Sequence, residues 1–143
     1  MATEKVLLVD DEVEFTHILS QRMESRGVGV DTAASGPEAL EKVKRTLYDA
    51  IFLDLAMPRM DGIETLKRLL ESNPDLQVIL LTGRATVQKG VEAIKLGAAD
   101  FLEKPAEIEK LLEKIHQAQA RRMLLVEERA EERMKDILKS KGW

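Results

Sequence analysis

The chain alternates short apolar runs with amphipathic segments, and it does so five times within 143 residues. Four of the runs are almost continuously apolar, which is typical of parallel strands covered on both faces. The second run alternates apolar and polar residues, so we place it at an edge of the sheet. The predicted strands are 5–9, 28–33, 50–54, 77–82 and 98–102. This order predicts an α/β fold with a five-stranded, doubly wound parallel sheet and five helices.

Between the runs, apolar residues recur every three or four positions, which predicts helices. The second helix opens with Ser35 and Glu38, the spacing of a capping box. We expect its apolar stripe, up to Leu47, to face the sheet. The fourth helix is expected to do the same with a stripe that includes Val91 and Ile94.

The last predicted helix is much longer than the others. No glycine or proline interrupts residues 107–139. About 33 residues at roughly 1.5 Å each give a helix of about 50 Å. We therefore divide the chain into a globular domain, 1–120, and a C-terminal helical extension, 121–143.

The extension keeps an apolar stripe although no domain remains for it to cover. A free stripe on a protruding helix favours a partner, and a short coiled coil between two copies, a homodimer, is our interpretation. The alternative is a solvated helix supported by pairs such as Glu131–Lys135. The stripe consists of Met123, Val126, Ala130, Met134 and Ile137, with Arg129 and Arg133 near the seam.

Composition excludes several classes of function. The net charge is −4 and neither part of the chain is basic, which argues against direct nucleic-acid binding. The chain has no cysteine, so it has no thiolate nucleophile or metal ligand. It contains no apolar stretch that could span a bilayer and no signal-peptide pattern at its start, so we expect a cytoplasmic protein without membrane contact.

Polar residues follow four of the apolar runs. Asp10 and Asp11 follow the first, Asp54 ends the third, Thr82 ends the fourth, and Lys104 comes after the fifth. The carboxyl ends of parallel strands share one edge of the sheet, where open α/β folds place their chemistry. Clustered carboxylates repel one another unless a cation compensates, and oxygen ligands of this kind suit Mg²⁺. The alternative is that Asp11 or Glu12 merely caps the first helix while the other acids are solvated.

These residues carry a resemblance to a known family. Together they resemble the receiver domain of two-component response regulators, over residues 5–118, and residues 92–102 are further similar to receivers of the nitrogen-regulator type. Such receivers usually precede an ATPase module and a DNA-binding module, and we expect neither module within these 143 residues. The resemblance implies a flavodoxin-like fold. The matching segments are Val9-Asp10-Asp11-Glu12, Leu53-Asp54-Leu55, Met57-Pro58 with Asp61-Gly62, Leu81-Thr82-Gly83 and Glu103-Lys104-Pro105.

The resemblance also implies roles. Asp54 would be the phospho-acceptor. Asp11 and Asp54, with the backbone carbonyl of Ala56, would bind Mg²⁺ directly, and Asp10 would act largely through water. Thr82 would hold the phosphoryl group.

Three further positions take their roles from the same resemblance. Lys104 would also hold the phosphoryl group, and its bond to Pro105 is cis in the family. Phe101 stands where receivers have an aromatic switch that turns inward when the threonine moves towards phosphate.

The function this implies is a phosphorylation-dependent signalling switch and not an enzyme. A partner histidine kinase or phosphotransfer protein would donate the phosphoryl group, and the output would be a conformational change or dimerisation. His17, on the first helix, is interpreted as part of the partner-docking surface. The alternative is a Mg²⁺-dependent phosphohydrolase with an aspartyl nucleophile, but Ala56 stands where such an enzyme needs a general acid. Ala56 and Arg84 flank the predicted phosphoryl group, and we expect slow self-dephosphorylation from them.

Overall fold

The computed structural model describes residues 3–57, 61–83 and 87–142. Five parallel strands form one sheet in the order β2-β1-β3-β4-β5. The predicted fold class is confirmed, and the alternating second strand lies at an edge as expected. The strands are β1 Lys5–Val9, β2 Gly29–Ala33, β3 Ala50–Leu53, β4 Val78–Thr82 and β5 Asp100–Glu103.

Five helices cover the two faces of the sheet. Helices α1 and α5 pack on one face, and α2, α3 and α4 pack on the other. Ser35 caps α2 as its spacing from Glu38 predicted, since Glu38 N–H donates to Ser35 Oγ, and the Glu38 carboxylate accepts from Ala34 N–H, one residue before the cap, at 2.9 Å. The helices are α1 Val13–Glu24, α2 Gly36–Arg45, α3 Gly62–Ser72, α4 Val87–Leu96 and α5 Ile108–Ser140.

The central strands divide their side chains between two apolar cores. In β3, Ile51 and Leu53 enter the core beneath α2, α3 and α4, while Ala50 and Phe52 enter the core beneath α1 and α5. This two-residue alternation follows from strand geometry. Because both faces are buried, the strands need continuous apolar runs, and these are the runs that the sequence displays.

Some predicted helix contacts were wrong. Leu47 lies beyond the end of α2 and is 72% exposed. Val91 and Ile94 are also exposed, because α4 packs through Gly90 and Ala93 instead. Small residues let α4 approach the sheet closely, so its larger apolar residues remain on the surface.

Helix α5 is continuous for 33 residues, as predicted. Its first part packs on the sheet through Leu111, Ile115 and Ala118. Two arginines farther along the helix contact the opposite edge of the domain from the strand carboxyl ends. Arg122 donates to Asp49 at 2.7 Å, and Arg129 donates to Asp75. Among the described helices, none combines the length and apolar character that crossing a membrane requires.

Candidate phospho-acceptor site

Asp10 and Asp54 lie side by side because their strands are neighbours. Each continues the hydrogen bonding of the sheet: Asp10 N–H donates to Ala33 O, and Asp54 N–H donates to Val9 O, both at 3.0 Å. Both side chains are buried, with about a twentieth of their surface exposed. The sheet therefore brings two carboxylates to one edge and shields them from most solvent.

The backbone orients both carboxylates in the same way. Glu12 N–H donates to Asp10 Oδ1, and Ala56 N–H donates to Asp54 Oδ1, each at 3.0 Å. Each acid thus uses one oxygen to order the two residues that follow it, a local turn typical of aspartate. The second oxygen of each acid remains available for the site.

Lys104 bridges those second oxygens. Its Nζ lies 2.6 Å from Asp10 Oδ2 and 3.3 Å from Asp54 Oδ2. Burial lowers the pKa of Lys104, but the hydrogen bond to Asp10 and the charges of Asp10 and Asp54 outweigh burial, so the pKa is raised. The lysine is therefore a fixed positive charge at neutral pH.

Lys104 reaches the site because β5 pairs with β4. Lys104 N–H donates to Thr82 O at 2.8 Å, which aligns the two strand ends. The Lys104–Pro105 peptide bond is cis, as predicted. Thr82 is completely buried at the end of β4. The structure thus gathers Asp10, Asp54, Thr82 and Lys104 at one edge of the sheet.

The acids that can share a cation differ in one member from the predicted set. One ligand oxygen from each of Asp10, Glu12 and Asp54 lies within 4.8 Å of the others. Asp11 does not belong to this group and is exposed. Glu12 is the N-terminal flanking residue of α1, yet its side chain makes no capping hydrogen bond. From the sequence we considered Glu12 only as a possible helix cap. Its position directly after two aspartates could have indicated that it belongs to the same acidic cluster.

Three carboxylates and no nitrogen or sulfur ligand fit Mg²⁺ as a hard cation. The three carboxylates together carry a charge of −3, and the Lys104 ammonium offsets one of these charges. The remaining negative charge favours the binding of a cation. Ala56, the other predicted ligand, is exposed directly after the buried pair Asp54-Leu55. The carboxylate ligands present at the site therefore suit the predicted Mg²⁺.

The loop after Asp54 is held by a close backbone approach. A Cβ on Gly62 would lie 2.6 Å from Leu55 Cα, so only glycine allows α3 to begin there. Asp61 caps α3, accepting from Ile63 N–H at 3.0 Å. The predicted residues Pro58 and Arg84 lie outside the described residues, so the expectation drawn from Arg84 remains a prediction.

The predicted switch aromatic is half-buried at the edge of the sheet. Phe101, in β5, packs against the core beneath α4. A Cβ on Gly90 would lie 2.6 Å from Phe101 Cε2, so the ring rests on the α4 backbone. The ring is therefore held against a helix that also carries the exposed residues Val91 and Ile94.

A sequence comparison decides the family. Residues 6–116 match the family described as the response regulator receiver domain. The chain belongs to this family. The resemblance stated from the motifs is thereby confirmed, and the family is one of signalling domains that interact with histidine kinases or phosphotransfer proteins.

Individual relatives agree with this assignment. The transcriptional regulatory protein ZraR of Klebsiella oxytoca is 41% identical over 106 residues, which are 74% of this chain and 24% of ZraR. The receiver therefore spans about a quarter of that relative's length. A crystal structure of a response regulator receiver domain protein from Clostridium thermocellum has a TM-score of 0.81 and 31% identity, covering 85% of this chain and 98% of that one.

A second solved structure extends the likeness into the long helix. It is described as adenylate cyclase from Rhodopirellula baltica, with a TM-score of 0.83 and 29% identity. It covers 94% of this chain and 98% of its own, so the match must include part of α5 beyond residue 120.

Proposed function

We propose that this receiver is a switch that accepts a phosphoryl group on Asp54 from a histidine kinase or phosphotransfer protein. The observation that carries the proposal is the bridge from Lys104 to Asp10 and Asp54, which joins a buried acid to a fixed positive charge. A carboxylate oxygen of Asp54 would attack phosphorus. The bond from phosphorus to the donor would break, its electron pair would leave with the donor, and Asp54 would become an acyl phosphate.

Mg²⁺ would be held by Asp10, Glu12 and Asp54, and by Asp11 and the Ala56 carbonyl that the family pattern names. When bound, it supplies positive charge that offsets repulsion between the acids and the incoming phosphoryl group. Lys104 would exchange its contact with Asp54 for one with a phosphoryl oxygen. Thr82, buried beside it, would donate its hydroxyl hydrogen to a second oxygen.

The signal would leave through α4, β5 and α5. Phe101 links β5 to α4, and the surface of α4 exposes the apolar residues Val91, Ile94 and Leu96 among polar and charged ones. Movement of Thr82 towards phosphate would let Phe101 turn inward and would shift α4 relative to the sheet. Such a shift changes the populations of two conformations of this surface, and no chemical step beyond phosphorylation is required.

The phosphoryl donor would dock beside α1. An apolar groove of about 190 Å³ lies between α1 and the start of α5, next to the site. Ile18 is half exposed there and faces solvent together with Arg22 and Pro105. His17 lies on another side of α1, where it lines a separate cavity with Asp10 and Ala33, so its interpretation as a docking residue remains a prediction. We infer that donor and acceptor meet in the cytoplasm.

The extension, 121–143, would join two copies of the chain. Large apolar side chains remain exposed along it, which supports a short coiled coil. Arg129 bonds Asp75 within the chain, so this arginine does not face the proposed seam. The exposed residues are Met123, Leu124, Val126, Met134, Ile137 and Leu138.

A phosphohydrolase remains the alternative, and Ala56 weakens it. Its methyl side chain can neither protonate a leaving group nor orient a water molecule. Because Ala56 cannot orient a water molecule for hydrolysis, the acyl phosphate on Asp54 should also be long-lived.

Intact mass spectrometry with acetyl phosphate and Mg²⁺ tests the phospho-acceptor. We expect one phosphoryl group on the wild type, none on Asp54→Asn, and one on the control Asp136→Asn, which alters an exposed aspartate of α5. A phosphoryl group on Asp54→Asn would refute the assignment, and a phospho-form lasting only seconds would refute the slow dephosphorylation.

Light scattering on the same samples tests the dimer. We expect twice the monomer mass in the wild type and the monomer mass in a Val126→Glu/Ile137→Glu variant. Dimerisation that persists in this variant would exclude the proposed coiled coil.

A further inference from the structure

The ring of Phe15 lies beneath the ammonium group of Lys104. Lys104 Nζ is 4.2 Å from the ring centroid, well inside the range of a cation–π interaction. Phe15 stands on the first turn of α1 and is half-buried. The Lys104 side chain is only 18% exposed, so water screens the contact weakly.

Phe15 completes a set of three partners around one ammonium. Asp10 Oδ2 lies at 2.6 Å, Asp54 Oδ2 at 3.3 Å and the ring at 4.2 Å. The two acids sit on the carboxyl ends of β1 and β3, whereas the ring comes from α1. Lys104, arriving from β5, is therefore held by three separate elements of the fold.

An aromatic partner suits this position better than another acid. The face of the ring attracts a cation through its quadrupole, yet it carries no formal charge. A fourth carboxylate would add to the repulsion among Asp10, Glu12 and Asp54 and would compete for the metal. Phe15 attracts Lys104 without either effect, because it cannot bind a metal or a proton.

We propose that Phe15 is a positioning residue that fixes the Lys104 ammonium for phosphoryl transfer to Asp54. This inference rests on the function proposed above. When Lys104 leaves the Asp54 carboxylate for a phosphoryl oxygen, it loses one of its three partners. The ring restricts the lysine to the edge of the site during that exchange, so fewer conformations have to be lost in the transition state.

Packing is the competing role for Phe15, and the two roles can be separated. Phe15 also lines the apolar groove with Ile18 and Pro105, and there a leucine would serve nearly as well. Phe15→Leu keeps an apolar side chain but removes the aromatic face. Phe15→Tyr keeps the aromatic face. Leu112→Ala, in α5, alters the core against which Phe15 also packs, without changing the ring or the donor groove, and serves as the control.

The contact itself is measured by NMR without Mg²⁺ or a phosphoryl donor. In protein labelled with ¹³C-lysine, the ring should shift the Lys104 ε-methylene protons upfield, and the signal is assigned by its loss in Lys104→Arg. We expect the shift in wild type, Phe15→Tyr and Leu112→Ala, and its absence in Phe15→Leu. An equal shift in Phe15→Leu would overturn the contact.

The role is measured by the rate of Asp54 phosphorylation with acetyl phosphate and saturating Mg²⁺, followed by intact mass. If the cation–π contact is lost, Phe15→Leu should lower the maximal rate about five- to tenfold. Phe15→Tyr should restore it to within about twofold, and Leu112→Ala should match the wild type. Equal rates in Phe15→Leu and wild type, or equally slow Phe15→Tyr and Phe15→Leu, would reject positioning. A wild type that gains no phosphoryl group would instead reject the proposed function.

Discussion

Arg129 clamps the long helix α5 to Asp75, a residue 54 positions earlier in the chain. Its Nε and Nη2 donate to the two carboxylate oxygens of Asp75 at 2.5 and 2.7 Å. Arg122 donates from Nε and Nη2 to Asp49 Oδ1, and the other oxygen of Asp49, Oδ2, accepts from Lys5 N–H. Planar guanidinium groups favour such paired contacts. The helix therefore stays on the domain for at least nine residues beyond the boundary at residue 120 that we expected from sequence.

The Arg129–Asp75 clamp should be sensitive to acid. The hydrogen bond from Arg129 holds the pKa of Asp75 below its usual value of 3.8. The stabilisation is thus present above pH 3.8 and is lost as the pH falls through the lowered pKa. Hydrogen exchange of α5 amides near Arg129 should be slow at pH 7 and faster in Asp75→Asn. The control Glu71→Gln, which alters an exposed acid of α3, should exchange like the wild type, and equal exchange in Asp75→Asn would argue against the clamp.

Strand ends were predictable from the sequence, whereas contacts between distant side chains were not. Parallel strands must end at one edge, so the positions of Asp54, Thr82 and Lys104 followed from apolar runs alone. Which acid approaches Asp10 and Asp54 depends on side-chain rotation within a turn, and the structure brings Glu12 within reach of them, whereas Asp11 as a ligand stays a prediction. Phe15 carries no local signal either, because an aromatic residue on a helical stripe is indistinguishable from ordinary core.

Tyr48 should titrate far above a free tyrosine. Its hydroxyl donates to Asp31 at 2.6 Å, and burial together with that hydrogen bond raises the pKa of Tyr48 to about 12. It is the chain's single tyrosine, so the tyrosinate absorbance at high pH reports it alone. Its stabilisation is complete below pH 10.0 and is lost as the pH rises through about 12. Asp31→Asn should lower the midpoint, and a wild-type midpoint near 10 would contradict the structure.

Removing the charge of Asp54 should stabilise the protein in the absence of metal. Asp10, Glu12 and Asp54 lie close together, and Lys104 pairs with Asp10 and Asp54 through one positive charge, so repulsion remains. Asp54→Asn should raise the free energy of unfolding in chelator by about 1 kcal/mol. Urea denaturation measures this, with Glu14→Gln, an exposed acid of α1, as the control. An unchanged or lower value would mean that Lys104 already compensates the cluster.

Gly90 should reveal how tightly Phe101 rests on α4. Alanine in place of a mid-helix glycine normally adds about 1 kcal/mol to stability. Here the added Cβ would lie 2.6 and 2.7 Å from two ring carbons of Phe101, so the ring has to move and the gain should disappear. In a Phe101→Ala background the gain should return, because the ring carbons nearest to the added methyl group are then absent. Urea denaturation of the four variants measures the coupling between the two positions. If Gly90→Ala were equally stabilising in both backgrounds, the ring would be free to leave α4 at no cost, and Phe101 could not transmit a movement to that helix.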